Sequence, residues 1–153
     1  MDPQDIPYRV CALADVADMI ASWKPGCIVA VLDPDDDLPL PAFDGPYHVL
    51  RMRDRSQPDP RAAGVVADAF AVLDGLAPGT RVLFHCSAGR SRSPALALAA
   101  AARRVGAAGA LAWLAAARPG CRPNPWILQA GDRAAQARGD LIAAFPDSFP
   151  VTR

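Results

Sequence analysis

The densest chemistry in the chain lies in one run, His85-Cys86-Ser87-Ala88-Gly89-Arg90-Ser91-Arg92-Ser93. A soft nucleophile and a permanently charged planar cation, Cys86 and Arg92, have five residues between them, most with small side chains. Small residues at Ser87, Ala88 and Gly89 let successive backbone amides converge on one point, and a helix starting just beyond would aim the positive end of its dipole there. A phosphate-sized dianion fits that field. Arg92 can hold two of its oxygens with a planar fork that lysine does not reproduce. Ser87, Ala88, Gly89, Arg90, Ser91 and Arg92 are therefore the candidate phosphate-binding residues, with Cys86 at the base of the cradle on the nucleophile's side.

A free thiol ionises near pKa ~8.5, and a nucleophilic thiolate at neutral pH needs that lowered to roughly 3.5 to 7.5. A helix terminus contributes at most ~2 kcal/mol. Larger shifts also need the loop amides, Arg92 and a hydroxyl donating to sulfur, for which Ser93 is well placed. The inert alternative is a buried cysteine beside a surface arginine, since a free cysteine is often only a small hydrophobe.

Several elements must position these groups. Val82, Leu83 and Phe84 read as a strand buried on both faces. After Pro94, which suits a first helical turn, Ala95 to Ala102 are strong helix formers. Upstream, Tyr8–Ala12 is a predicted strand, and Asp15 is predicted to cap a helix over Val16–Trp23, where Val16, Met19, Ile20 and Trp23 share one face. Lys24-Pro25-Gly26 stops it, and Cys27–Leu32 reads as a second buried strand. Residues 33–46 carry four prolines and five aspartates and cannot sit inside a sheet. Asp33, Asp35, Asp36 and Asp37 lack the glycine and terminal glutamate of a calcium loop and read as a solvated acidic turn. Tyr47–Met52 is a third strand, ending in Arg53-Asp54-Arg55. Asp59 with Pro60 opens a helix whose apolar face runs to Leu76. Gly106 separates a further helix, about 107–117, and Asn124 with Pro125 opens a last one running to about Phe145, with Gly131 and Gly139 as points where it can kink or split. This order predicts a single α/β domain with a small, mainly parallel sheet flanked by helices and its site at the strands' C-terminal edge.

At 153 residues and 52% hydrophobic against 21% charged, the chain is not of the disordered class. Lys+Arg and Asp+Glu both total 16, so no basic field marks a nucleic-acid partner. The four cysteines show no paired metal-ligand spacing, and no metal or other cofactor is expected. The N-terminus is acidic and polar, unlike a signal peptide, and no apolar run approaches the ~18 residues of a membrane span. A cytoplasmic location with reduced thiols is the expectation; nothing in the sequence marks an oligomeric state.

His85-Cys86, five residues, then Arg92-Ser93 resembles the HC-x5-R-[ST] signature of the cysteine-dependent protein tyrosine phosphatase superfamily, and the short chain is most similar to its dual-specificity-like, bacterial-type branch. The resemblance covers about 47–145, and the first strands only loosely. It implies the protein tyrosine phosphatase-like fold and two-step hydrolysis of a phosphate monoester through a phosphocysteine at Cys86. Arg92 and the loop amides would hold the equatorial oxygens, Ser93 would assist the second step, and His85 would order the loop. Asn124 resembles a residue that braces the site from the next helix, while a plain helix cap explains it equally well. A leaving alkoxide or phenolate needs a proton. Asp54, 32 positions before Cys86, stands where similar family members keep an aspartate. Asp59 is the rival, although its cap position accounts for it.

The chain is shorter than the tyrosine-specific enzymes, which implies a shallow pocket open to a phosphorylated protein or peptide at tyrosine, with serine and threonine also in reach. Arg90 sits where phosphoinositide-directed relatives carry a lysine, but Ser87 occupies the partner basic position, so a phosphoinositide or polynucleotide phosphate comes second. Arg53 and Arg55 favour acidic substrates or are ordinary surface residues. A non-catalytic phospho-binding module would have lost Cys86, Arg92 or the acid, and an arsenate reductase or low-molecular-weight phosphatase would carry the loop after its first strand. Cys11, Cys27 and Cys121 are candidates for a protective disulfide with an oxidised Cys86.

Overall fold

Two apolar runs decide the architecture. Residues 27–32 and 82–86 have no polar position to turn toward water except His85, so each must be an inner strand covered on both faces. In the computed structural model, which describes residues 1–150, both are buried throughout. Strands β1 (Tyr8–Ala12), β2 (Cys27–Leu32), β3 (Tyr47–Arg51) and β4 (Val82–Cys86) form one parallel sheet in the order β1-β4-β2-β3. The register sets Ala12 beside Cys86 and Ala30 beside His85, which brings the C-terminal ends of β1, β2 and β4 to one edge. β3 stops one residue before the predicted Met52, whose N–H still donates to the Leu32 carbonyl at 2.9 Å.

Helix α1 (Val16–Trp23) covers one face, where Val16 packs with Cys11, Ile28 and Leu83. The larger core lies on the other face, under α2 (Arg61–Asp74), α3 (Arg92–Ala117), α4 (Pro125–Ala134) and α5 (Asp140–Ala143). Ala95 to Ala102 are all buried, so the first half of α3 is enclosed on every side, and small side chains let the neighbouring elements come close. Gly106 breaks α3 with φ 83 and ψ 169 where the sequence reading placed a separation. At 26 residues α3 is long and apolar enough to cross a membrane, beyond the apolar runs expected, because two alanine-rich segments join across that break; its first half is the centre of this core instead.

Three expectations change. Asp15 precedes α1 but makes no side-chain capping bond, because a 3-10 turn over Leu13–Asp15 has already given it near-helical angles, whereas a capping residue is extended. Helix α2 begins at Arg61, one residue beyond Pro60, with Asp59 Oδ1 accepting from the Arg61 amide at 2.9 Å. The last helix does not run to Phe145. Buried Asp132 accepts the amides of Gly139 at 2.8 Å and Leu141 at 2.9 Å, which folds the chain over after Ala134. Gly131 produces no kink, but its missing side chain matters. A Cβ there would stand 2.6 Å from the Ala99 Cβ of α3.

Gly131→Ala should therefore cost about 1–3 kcal/mol through overpacking. Gly64→Ala, on the exposed side of α2 with nothing within 4 Å, should stabilise by roughly 0.5–1 kcal/mol. Urea unfolding of both variants checks the pair of opposite signs.

Candidate active site

Residues 87–91 bridge β4 and α3, and each of their five carbonyls is held from outside. Ser87 O accepts from the Leu13 amide (3.1 Å), Ala88 O and Gly89 O from the Arg118 guanidinium (3.1 and 2.7 Å), Arg90 O from the Arg122 amide (2.8 Å) and Ser91 O from the Asn124 amide (2.9 Å). A trans peptide sets each carbonyl antiparallel to the next residue's N–H. Outward carbonyls therefore turn the amides of residues 88–92 inward, and among the described residues none of these donates to a protein acceptor. Gly89 makes the turn possible: its φ is +69, and a Cβ would lie 2.6 Å from the Cys11 carbonyl carbon and 2.7 Å from the Ala12 nitrogen of β1.

Cys86 closes the base of this cradle, 2% exposed, with Ser93 Oγ donating to its sulfur at 3.1 Å. Arg92 enters from the first turn of α3. Its Nη1 donates to Met52 O and to Asp33 Oδ1, both at 2.8 Å, and Nη2 reaches Ser87 Oγ at 3.3 Å. Its Nε is buried with no partner. An unsatisfied buried donor costs ~1–3 kcal/mol, and the edge shared by Nε and Nη2 is the one a bidentate oxyanion would take.

His85, fully buried, holds the loop from beneath. Its Nδ1–H donates to the Cys86 carbonyl at 3.2 Å, which leaves Nε2 to accept from the Tyr47 hydroxyl at 2.6 Å. Burial lowers the His85 pKa and raises that of Tyr47 to about 12, so the ring stays neutral and the phenol stays a donor.

Asp54 sits at the rim, exposed. Its Oδ1 accepts from Ser91 Oγ at 2.7 Å and from Asn124 Nδ2 at 2.9 Å, which leaves Oδ2 as the oxygen able to carry a proton. The side chain of Asn124 is bonded at both ends. Its Oδ1 caps α4 by accepting from the amides of Trp126 and Ile127, each at 3.1 Å, while its amide nitrogen braces Asp54. Asp59 is occupied at the head of α2.

The acidic run is not simply solvated. Arg51 Nη1 donates to the carbonyls of Asp33 (2.9 Å) and Asp36 (2.7 Å), Arg53 pairs with Asp35 at 3.1 Å, and Asp33 reaches Arg92. The arginine pairing holds the exposed Asp35 carboxyl below the usual range. Sequence reasoning also missed Tyr47 and Arg118, neither of which belongs to a local motif.

The three other cysteines differ in their access to Cys86. Cys27 pairs with Val82 at the far end of the sheet, four residues from Cys86, roughly 13 Å at ~3.3 Å per residue and too far for a disulfide. Cys11 packs with Leu83 on the α1 face and pairs with His85, so the alternation of side chains along β4 puts Cys86 on the opposite face. Burial raises the thiol pKa to about 12 at Cys11 and about 11 at Cys27. Cys121 lines an open cleft of about 640 Å³ beside the cradle, together with Asp54, Arg90 and Arg122.

No protein-family model and no curated protein matches the chain. Solved structures do match it. The human tyrosine phosphatase-like serine/threonine/tyrosine-interacting protein superposes with TM-score 0.70 at 19% identity, over 86% of this chain and 93% of that one. Human DUSP28 gives 0.64 at 22%, covering 87% and 90%, and DUSP15 gives 0.62 at 20%, covering 95% and 94%. The chain has the fold of the cysteine-dependent protein tyrosine phosphatases, in the form seen in the dual-specificity enzymes.

Removing the phenol in Tyr47→Phe leaves His85 Nε2 buried and unpaired, so a loss of about 1–3 kcal/mol is expected in urea unfolding. Because the folded state holds His85 below its ordinary pKa, the unfolded chain takes up the proton first. Stability should fall as pH drops below ~6.5, and less so in His85→Gln.

Proposed function

We propose that the chain is a phosphatase that hydrolyses phosphate monoesters through a phosphocysteine at Cys86, acting on phosphotyrosine, and also on phosphoserine or phosphothreonine, in proteins or peptides. One observation carries this reading. A buried sulfur, held by the Ser93 hydroxyl, lies under inward amides and an arginine whose Nε has no partner. Together these make a site built for a tetrahedral dianion facing a nucleophile.

In the first step the Cys86 thiolate attacks phosphorus in line. The bond to the leaving oxygen breaks as that oxygen takes the proton from Asp54. The amides and the Nε–Nη2 edge of Arg92 meet the equatorial oxygens where charge is spread in a loose transition state. In the second step Asp54, now a carboxylate, takes a proton from water. The water oxygen bonds to phosphorus, the P–S bond breaks, and Ser93 donates to the departing thiolate. None of these steps needs a metal or cofactor.

A binding module that only holds phosphate on this fold would have no use for an acid poised at the rim, and Asp54 is fixed there by two donors. The open cleft beside the cradle supports a peptide-sized substrate. A phosphoinositide is the second reading, favoured by Arg90 and Arg122, which are joined through a 2.8 Å backbone bond and line the same cleft. A thiolate nucleophile calls for a reducing compartment, and we assign the enzyme to the cytoplasm.

Hydrolysis of para-nitrophenyl phosphate should be abolished in Cys86→Ser while tungstate binding persists; turnover that survives this change removes Cys86 as nucleophile. Asp54→Asn should lower kcat by roughly 10²–10⁴-fold and flatten the basic limb of the pH profile. Ser93→Ala should slow dephosphorylation more than phosphorylation, seen as a burst of para-nitrophenolate in rapid-mixing experiments.

A further inference from the structure

The guanidinium of Arg92 is held most closely at one corner. Nη1 is held by the carboxylate of Asp33 and the carbonyl of Met52, each at 2.8 Å, while on the opposite edge Nη2 reaches Ser87 Oγ of the loop at 3.3 Å and the buried Nε has no partner. Asp33 directly follows β2, and Met52 directly follows β3. The parallel pairing of those strands, continued by Met52 N to Leu32 O at 2.9 Å, places both acceptors side by side behind the arginine.

The turn bearing Asp33 is itself tied down. Arg51 Nη1 bonds the carbonyls of Asp33 and Asp36, and Arg53 pairs with Asp35. Asp33 is 42% exposed at its side chain and Arg92 only 6%, so a partly hydrated carboxylate pairs with a buried guanidinium. Without it, only a neutral carbonyl and a long hydroxyl contact would orient a fork that needs to be placed to within a fraction of an ångström to hold two oxygens at once.

We propose that Asp33 is a positioning residue for phosphate recognition: it fixes the Nη1 corner of Arg92 so that the Nε–Nη2 edge is presented to the substrate's equatorial oxygens. This rests on the phosphatase reading of the site. Asp33 does not touch the substrate and carries no proton in the reaction; it acts through Arg92 alone. Arg51 supports it at one remove.

The test combines tungstate affinity by calorimetry with para-nitrophenyl phosphate kinetics across pH, on the wild type, Asp33→Ala, Asp33→Asn, Arg92→Ala and the double variant Asp33→Ala/Arg92→Ala. Asp33→Ala should weaken tungstate binding and lower kcat/KM by roughly 10- to 100-fold, with the limbs of the pH profile unmoved. Asp33→Asn keeps an acceptor oxygen and should recover most of the loss, which also covers the case in which Asp33→Ala does not fold. In the Arg92→Ala background, removing Asp33 should change tungstate affinity less than about twofold, since there is no longer a guanidinium to place. The proposal is overturned if Asp33→Ala binds tungstate like the wild type, if the loss persists undiminished in the Arg92→Ala background, or if Asp33→Asn flattens the basic limb and so behaves as the proton donor. A wild type that neither binds tungstate nor turns over would overturn the phosphatase reading itself and this proposal with it, whereas an active wild type with an indifferent Asp33 overturns this proposal alone.

Discussion

The orientation of five peptide planes is the constraint from which the rest of the site follows. Because a trans peptide points its carbonyl and the following N–H in opposite directions, an anion cradle can be made only by pulling carbonyls away from its centre. The fold does this with donors from separate places: the residue after β1, the arginine at the end of α3, and two amides on the way into α4. No short peptide carries these tethers. A loop of a few residues thus needs the sheet, α3 and the start of α4 before its amides can face inward. Those amides and Arg92 Nε have no protein acceptor among the described residues, so they are the donors this loop has to offer a tetrahedral oxyanion.

What could be read from the sequence divides along the same line. The Cys86, Arg92 and Ser93 spacing is local, and the buried strands β2 and β4 are apolar almost end to end, so the loop, its flanking elements and the parallel sheet were all legible. Asn124 was legible as two competing roles because an asparagine has two different ends; the structure uses its oxygen for the helix and its nitrogen for Asp54. The tether from Arg118 spans 29 residues and the Arg92–Asp33 contact 59, and no local rule reports such pairings. Asp33 was further hidden by its neighbours, since one acid in a run of acids reads as solvated. The break after Ala134 escaped for a related reason: helix propensity says nothing about Asp132 capping a second segment seven residues on.

A buried guanidinium poses an electrostatic problem in any site whose substrate comes and goes. Arg92 is almost wholly enclosed, and an enclosed charge without a partner is strongly unfavourable. If its only counter-charge were the substrate, the empty site would carry that cost for as long as it stayed empty, and the side chain would be drawn toward other acceptors. A carboxylate placed inside the cradle would remove the problem but compete with phosphate for the same hydrogen atoms. Asp33 avoids both outcomes through geometry. It takes the corner of the guanidinium that a bidentate oxyanion does not use, and it does so from the solvent side, where its own charge stays partly hydrated. The resting charge is balanced, the other edge keeps only the long contact to Ser87, and the residue that achieves this follows a strand whose pairing fixes where it must stand.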